Sequence, residues 1–338
     1  MQPAPLDIAL PPGFTVRPVT LDDLEAAVDL FNTCSLIQMG MPDFTVESLR
    51  NEWSEPSFSL EHSTRAVFTP EGRLVGYVEV NDAGATPVHP WVWGRVHPDY
   101  ENRNIGTYLM QWGEERAREA IAKVPEHARV AMASGSFSTH EPTKRLLHDR
   151  GMTLIRHFYT MKIDLDEAPP EPEWPEGITL RTFNREQDAE ALFRAQRDSF
   201  QDHFGYVEEP FETAFPRWEH YRLNDPEHDP TLYFLAMDGE EIAGMLLCRA
   251  HSHEDPEMGW IDILGVRRPW RKRGLGMALL RHGFVEFYRR GRKSAGLGVD
   301  ASSLTGATRL YESAGMSVLR QFDLYEKELR RGEELAMH

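Results

Sequence analysis

The segment VRRPWRKRGLGMALL, residues 266–280, places Arg267, Arg268, Arg271, Lys272, Arg273 and two glycines between an apolar run and a leucine-rich one. A turn of this kind that enters a helix presents free backbone N–H groups at the helix's positive end, which makes an anion site. Gly274 and Gly276 let the backbone approach a phosphate with no Cβ in the way. Five neighbouring cations then suit a ligand that carries more than one phosphate. Two commoner phosphate turns are excluded by spacing. A dinucleotide turn needs Gly-x-Gly-x-x-Gly with an acidic residue about 20 positions on, and a P-loop ends in Gly-Lys-Ser/Thr. Neither occurs here. The bland alternative, a solvated charged turn, is disfavoured by the two glycines and the flanking apolar runs.

The surrounding composition sharpens this anomaly. The chain carries 54 acidic against 37 basic residues, a formal charge of -17, which argues against a nucleic-acid partner because phosphate backbones need a basic face. No run of 18 apolar residues occurs, and MQPAPLDIALPPGF at the start has no basic segment ahead of an apolar one. The expectation is a cytoplasmic protein without membrane contact. Cys34 and Cys248 fall in different halves with no redox or metal-ligand spacing, so neither a disulfide framework nor a metal is expected.

The elements that position the turn occur twice. VHPDYENRNIGTYLM at 96–110 repeats its outline, with Gly106 lying 170 residues before Gly276. GFTVRPVT at 13 pairs with GITLRTFN at 177, GRLVGYVEV at 72 with EEIAGMLLC at 240, and KRLLHDRGM with TRLYESAGM, at offsets of 164 to 168. Four landmarks in one order imply a tandem copy of one domain. The expected division is 1–165, a proline-rich linker at 166–177, a second copy at 178–330 and a tail at 331–338. In each copy the periodicity predicts a strand, one or two helices, a hairpin, a further strand, the glycine turn with a long helix, then strand, helix and strand. The fold class is α/β, a mixed sheet covered by helices.

These residues carry a resemblance. LGVRRPWRKRGLGMALL followed by SSLTGATRLYESAGM resembles the acetyl-coenzyme A site of the GNAT superfamily of N-acetyltransferases. The paired architecture, with FQDHFGY at 200–206, is similar to the mycothiol synthase branch of tandem GNAT proteins. The resemblance implies that Leu264, Gly265 and Val266 end a strand whose edge pairs with the pantetheine arm. It implies that Arg271, Lys272, Arg273, Gly274, Leu275 and Gly276 wrap the pyrophosphate, with Arg267 or Arg268 at the adenosine phosphate. Ser303 stands where the family often has Asn, and Tyr311 matches its usual general acid. A phenol near pKa 10 can hand a proton to a thiolate whose acid has a pKa near 8.5; the alternative for Tyr311 is a core aromatic. The family's usual base position is Trp260. Asp262, on the same strand face, is the candidate base, with a carboxylate merely paired to an arginine as the even alternative, and Glu257 and His253 as weaker candidates.

Residues 197–221 stand where this family builds its acceptor wall, and Asp202, His203, Tyr206 and Trp218 are the substrate candidates, aromatic and acidic as an amine would prefer. In the first copy Glu101 replaces Arg271, Asn104 replaces Gly274 and Leu147 replaces Tyr311, so that copy reads as degenerate, with a weaker coenzyme site left open by Gly106. The implied activity is acetyl transfer from acetyl-CoA to a small-molecule amine by the second copy. The competing readings are a non-catalytic acyl-CoA-binding protein and a protein or peptide N-acetyltransferase.

Overall fold

The computed structural model describes residues 8–225, 227–252, 254–303 and 306–337. The first repeat runs β1 (Thr15–Arg17), α1 (Leu24–Met39), α2 (Val46–Trp53), α3 (Leu60–Ser63), β2 (Thr64–Phe68), β3 (Leu74–Asn81), β4 (Trp91–Val96), α4 (Ile105–Ala117), β5 (Val130–Phe137), α5 (Glu141–Asp149) and β6 (Thr153–Asp164). The second runs β7 (Ile178–Thr182), α6 (Arg185–Phe200), α7 (Phe211–Arg222), β8 (Tyr233–Asp238), β9 (Glu241–Arg249), β10 (Met258–Val266), α8 (Leu275–Arg289), β11 (Ser294–Asp300), α9 (Ala307–Ser313) and β12 (Ser317–Arg330).

Small devices recur in both repeats because the same chain path needs them twice. Arg17 grips Asp23 through two 2.7 Å bonds while Asp23 also accepts the Thr20 N–H. Arg181 grips Asp188 in the same way while Asp188 accepts the Asn184 N–H. Each pair ties the first strand to the helix that follows and holds its aspartate below the usual carboxylate range. Gly76 and Gly244 let the long central helix lie close on the hairpin. A Cβ at Gly76 would come 2.7 Å from Ile105 Cγ2, and one at Gly244 would come 3.1 Å from Leu279 Cδ1.

The compact units do not follow the chain boundary at 166–177. Unit 1 holds residues 8–156, 207–221 and 323–336, and unit 2 holds 157–206, 222–322 and Met337. The sheet of unit 1 has the order β1-β2-β3-β4-β5-β12, and that of unit 2 has β7-β8-β9-β10-β11-β6. The last strand of each repeat thus completes the sheet of the other repeat's unit. Sequence periodicity cannot show this, since a strand's alternation is the same whichever neighbour it finds. β6 pairs antiparallel with β11 from Phe158↔Asp300 to Asp164↔Ser294. In unit 1, Tyr325 of β12 joins a core with Leu109, Met132 and Leu147, and Lys327 reaches Glu114 at 2.6 Å.

Tyr325 is therefore a core residue of unit 1 although it is encoded in the second repeat. Tyr325→Ala should cost about 3 kcal/mol, the usual loss for an emptied aromatic site. Denaturant unfolding followed by hydrogen exchange should show the loss of protection in β3, β4 and β5. Loss confined to the strands of unit 2 would contradict the strand exchange.

Candidate active site

In unit 2 the parallel strands β10 and β11 pair from Met258↔Ser294 to Ile261↔Leu297 and no further. The separation coincides with a bulge in β10 between Ile261 and Ile263, read against β9. An extra residue bends a strand and increases its twist, and here that residue is Asp262. Beyond it, Leu264, Gly265 and Val266 stay paired to β9 on one side and have no β11 partner on the other. The backbone edge there is available to an extended ligand.

The turn after β10 is built by backbone conformation. Arg271 is extended (φ -66°, ψ 158°), Lys272 lies at φ 61° and Gly274 at φ 87°, and Gly274 caps α8. The first helical bond runs from Ala278 N to Gly274 O, so the N–H groups of Leu275 and Gly276 have no helical acceptor. A Cβ at Gly276 would sit 3.3 Å from Leu310 and 3.9 Å from Val266, which keeps the helix start against the end of β10. The cations divide into two groups. Arg267 is bonded to Asp198 (2.7 Å) and to the Ile242 carbonyl (3.1 Å). Arg271 is bonded to the Val266 carbonyl (3.0 Å), Asp202 (2.9 Å) and the Ser199 carbonyl (2.8 Å), and Arg268 pairs with Asp202. These three tie the turn to α6 and to Asp202 just beyond it. Lys272 and Arg273 are exposed, with Arg273 donating to the Glu176 carbonyl at 3.3 Å.

Tyr311 lies on α9, 7% exposed. Burial alone pushes its phenol up to about 12, so it stays a proton donor at every working pH. Ser303 accepts the Gly306 N–H on its carbonyl at 3.2 Å and donates its own N–H to Asp300 O at 3.1 Å, which shapes the approach to α9. Asp262 is bonded by Arg249 (3.0 Å) and faces Arg222 (3.4 Å). Glu257 is exposed, and His253 lies outside the described residues.

Of the expected acceptor residues, Asp202, His203 and Tyr206 lie in unit 2 and Trp218 in unit 1. Asp202 is taken by Arg268 and Arg271, which hold its carboxyl down to about 2. His203 packs its ring 4.4 Å from that of Phe200, and burial beside the Arg271 charge lowers its pKa. The Tyr206 carbonyl accepts the Met337 N–H. Trp218 belongs to unit 1, with residues 207–221. That segment is held there by Glu209, which accepts the Ala85 N–H at 2.8 Å, and by His220, whose Nε2 meets the Asn51 carbonyl at 3.0 Å. Its aromatic pattern carries no sign of which sheet it joins.

Unit 1 repeats the geometry with different side chains. β4 pairs with β5 only at Trp91↔Ala133, and a cavity of about 470 Å³ opens, lined by β4, β5, α4 and α5. Glu101 (φ -62°, ψ 160°), Asn102 (φ 57°) and Asn104 (φ 64°) reproduce the backbone of Arg271, Lys272 and Gly274. Asparagine tolerates the left-handed region, so the replacement of glycine left the turn intact. Leu147, the repeat counterpart of Tyr311, lines this cavity. Tyr77, Glu79 and Arg95 stand at the repeat positions of Met245, Leu247 and Gly265.

The comparisons agree with this geometry. A family model described as Acetyltransferase (GNAT) family matches residues 25–133 and 189–316. The chain belongs to this family. A mycothiol acetyltransferase of Streptomyces scabiei (strain 87.22) is 30% identical over 259 residues, which cover 75% of this chain and 77% of that protein. One from Thermomonospora curvata is 30% identical, covering 73% and 76%. The crystal structure of a GCN5-related N-acetyltransferase from Sphaerobacter thermophilus is 35% identical, with a TM-score of 0.78 over 97% of this chain and 99% of that one. A tandem GNAT protein from the clavulanic acid biosynthesis pathway shares the fold at 15% identity, with a TM-score of 0.70 over 95% and 100%. The chain is an N-acetyltransferase of tandem GNAT architecture. Among the described residues, no helix is long and apolar enough to cross a membrane, and no group of three His, Cys, Asp or Glu is arranged to hold a metal.

The positive φ at Gly274 yields a prediction about the turn itself. Gly274→Asn should fold with a stability loss under about 1 kcal/mol, as Asn104 does in the same conformation. Gly274→Val should lose about 2 kcal/mol, because a β-branched residue is strained there. Denaturant midpoints check the order, and equal losses would contradict the left-handed cap.

Proposed function

We propose that this acetyltransferase moves the acetyl group of acetyl-coenzyme A to the amine of a small molecule by direct attack, and that unit 2 carries the chemistry. The observation that carries this reading is Tyr311, a buried phenol on the helix beyond an opened pair of parallel strands. Its counterpart in unit 1, Leu147, lines the equivalent opening and has no proton to give. The residues of unit 2 fit the coenzyme. The free edge at Leu264–Val266 takes the pantetheine arm, and the N–H groups of Leu275 and Gly276 with Lys272 and Arg273 take the pyrophosphate. Arg271 and Arg268 hold the turn in place through Asp202, and Ser303 shapes the approach to α9.

Tyr311 gives its proton, or a strong hydrogen bond, to the departing sulfur. Asp262 takes the proton of the acceptor amine, directly or through a water, and reaches it by giving up one arginine contact. The likeness to mycothiol acetyltransferases puts a mycothiol-related amine first among the acceptors to be assayed, ahead of other small primary amines.

Tyr311→Phe should reduce turnover by about 10²- to 10⁴-fold, the usual worth of a general acid, with coenzyme A affinity unchanged. The wild-type pH profile should show no falling limb from this phenol below about pH 11, since burial keeps it protonated up to about 12. Asp262→Asn should lower the rate while the fold is retained. Full turnover by Tyr311→Phe, measured as thiol release, would return Tyr311 to a packing role, and full turnover by Asp262→Asn would leave Asp262 as a partner of Arg249 alone.

A further inference from the structure

The cavity of about 470 Å³ in unit 1, where β4 and β5 part beyond Trp91 and Ala133, is not used by the chemistry of unit 2. Its size suits a small molecule. Val78, Val92, Leu109, Met110 and Leu147, all buried, give it an apolar wall. Arg95 of β4 lines the same cavity and keeps part of its surface open. In unit 2 the register position of Arg95 belongs to Gly265, which stands opposite Met245 as Arg95 stands opposite Tyr77. The same sheet position is thus built in unit 2 without a charge.

Arg95 has little to hold. Its guanidinium donates to the carbonyl of its neighbour Gly94 at 3.1 Å and lies 4.4 Å over the Trp93 ring. Its Nε is buried with no hydrogen-bond partner. Asp43 and Glu79 act on its charge, but Arg95 forms no ion pair among the described residues. A guanidinium carries five N–H donors, and a cation taken out of water with one backbone acceptor is costly. The cavity that Arg95 borders is the path by which a better acceptor can reach it.

We propose that this cavity binds an aliphatic monocarboxylic acid, with its carboxylate on Arg95 and its chain along Val78, Val92, Leu109, Met110 and Leu147. The planar fork of a guanidinium matches the two oxygens of a carboxylate, and the apolar wall takes the chain. The other charged residues of the lining leave no place for a second anionic group. Glu101, Glu141 and Asp149 are acidic, and Arg145 is exposed on α5. Burial already raises the Glu101 carboxyl, so a further anion beside it is unfavourable. His140 adds no cation, because burial and the Arg95 charge lower its pKa and its Nδ1 meets the Thr143 hydroxyl at 2.8 Å. A primary amine would bring a second cation to Arg95.

The test is calorimetric titration of the full-length protein, without coenzyme, against the straight-chain acids from acetate to octanoate. Affinity should rise about fourfold with each methylene until the wall is covered, the usual worth of a CH₂ taken from water. The acid that binds best should exceed its primary amide, its primary amine and the diacid of equal length by about tenfold or more, as a hydrogen-bonded charge does. Arg95→Gln should weaken that acid by about tenfold or more, Arg95→Lys should recover part of the affinity, and Lys272→Gln in unit 2 should leave it unchanged. Near-UV circular dichroism shows that the variants keep their core. No binding by any acid of the series overturns the proposal, as does equal binding of the amide or equal binding by Arg95→Gln. Tighter binding of inorganic phosphate, or loss of the acid in Lys272→Gln, overturns it as well. Because no coenzyme is present, this failure is distinct from a failure of the acetyl-transfer reading.

Discussion

Strands β10 and β11 hydrogen-bond as far as Ile261 and Leu297 and then part, and the chemistry assigned to unit 2 rests on that gap. A parallel pair held together to its ends would leave no backbone edge for an extended ligand. The bulge at Asp262 starts the separation, and Arg249 on β9 fixes the bulged carboxylate. Gly265 then lets α6 approach, since a Cβ there would lie 3.1 Å from the Phe200 ring and 3.3 Å from Ser199. From α6 and the residues just after it come the Asp198, Ser199 and Asp202 oxygens that hold the arginines of the turn. The bulge, the close helix and the anchored turn form one connected support for the free edge.

Charge on the turn is accordingly divided between architecture and ligand. Five cations in seven residues read as a single anion site in sequence. Three of them spend their hydrogen bonds inside unit 2, and the exposed Lys272 and Arg273 remain beside the helix N-terminus. Two cations and the N–H groups of a helix start are a usual complement for a pyrophosphate. The same division explains why unit 1 keeps the turn's backbone with different side chains. The left-handed residues are set by φ, which Asn102 and Asn104 satisfy, whereas the salt links to α6 are set by side chains, which Glu101 cannot reproduce.

Much of this was legible in the sequence. The repeat, the hairpin at Gly239, the helix ending at Gly291 and the glycine turn all depend on contacts local in the chain, and each carried its own signal. The exchange of β6 and β12 and the placement of residues 207–221 in unit 1 depend on which distant neighbour a segment finds. Amphipathic pattern does not encode that choice. Asp202 looked like an acceptor residue because its type suits an amine, but its arginine partners stand 66 and 69 positions away.

The central claim, that coenzyme and chemistry meet in unit 2, is tested most directly by a crystal structure with coenzyme A. The account predicts pantetheine along Leu264–Val266, the pyrophosphate on the N–H groups of Leu275 and Gly276, and the sulfur within hydrogen-bond reach of the Tyr311 hydroxyl. Coenzyme found only between β4 and β5 of unit 1, with the β10–β11 gap filled by side chains, would contradict it.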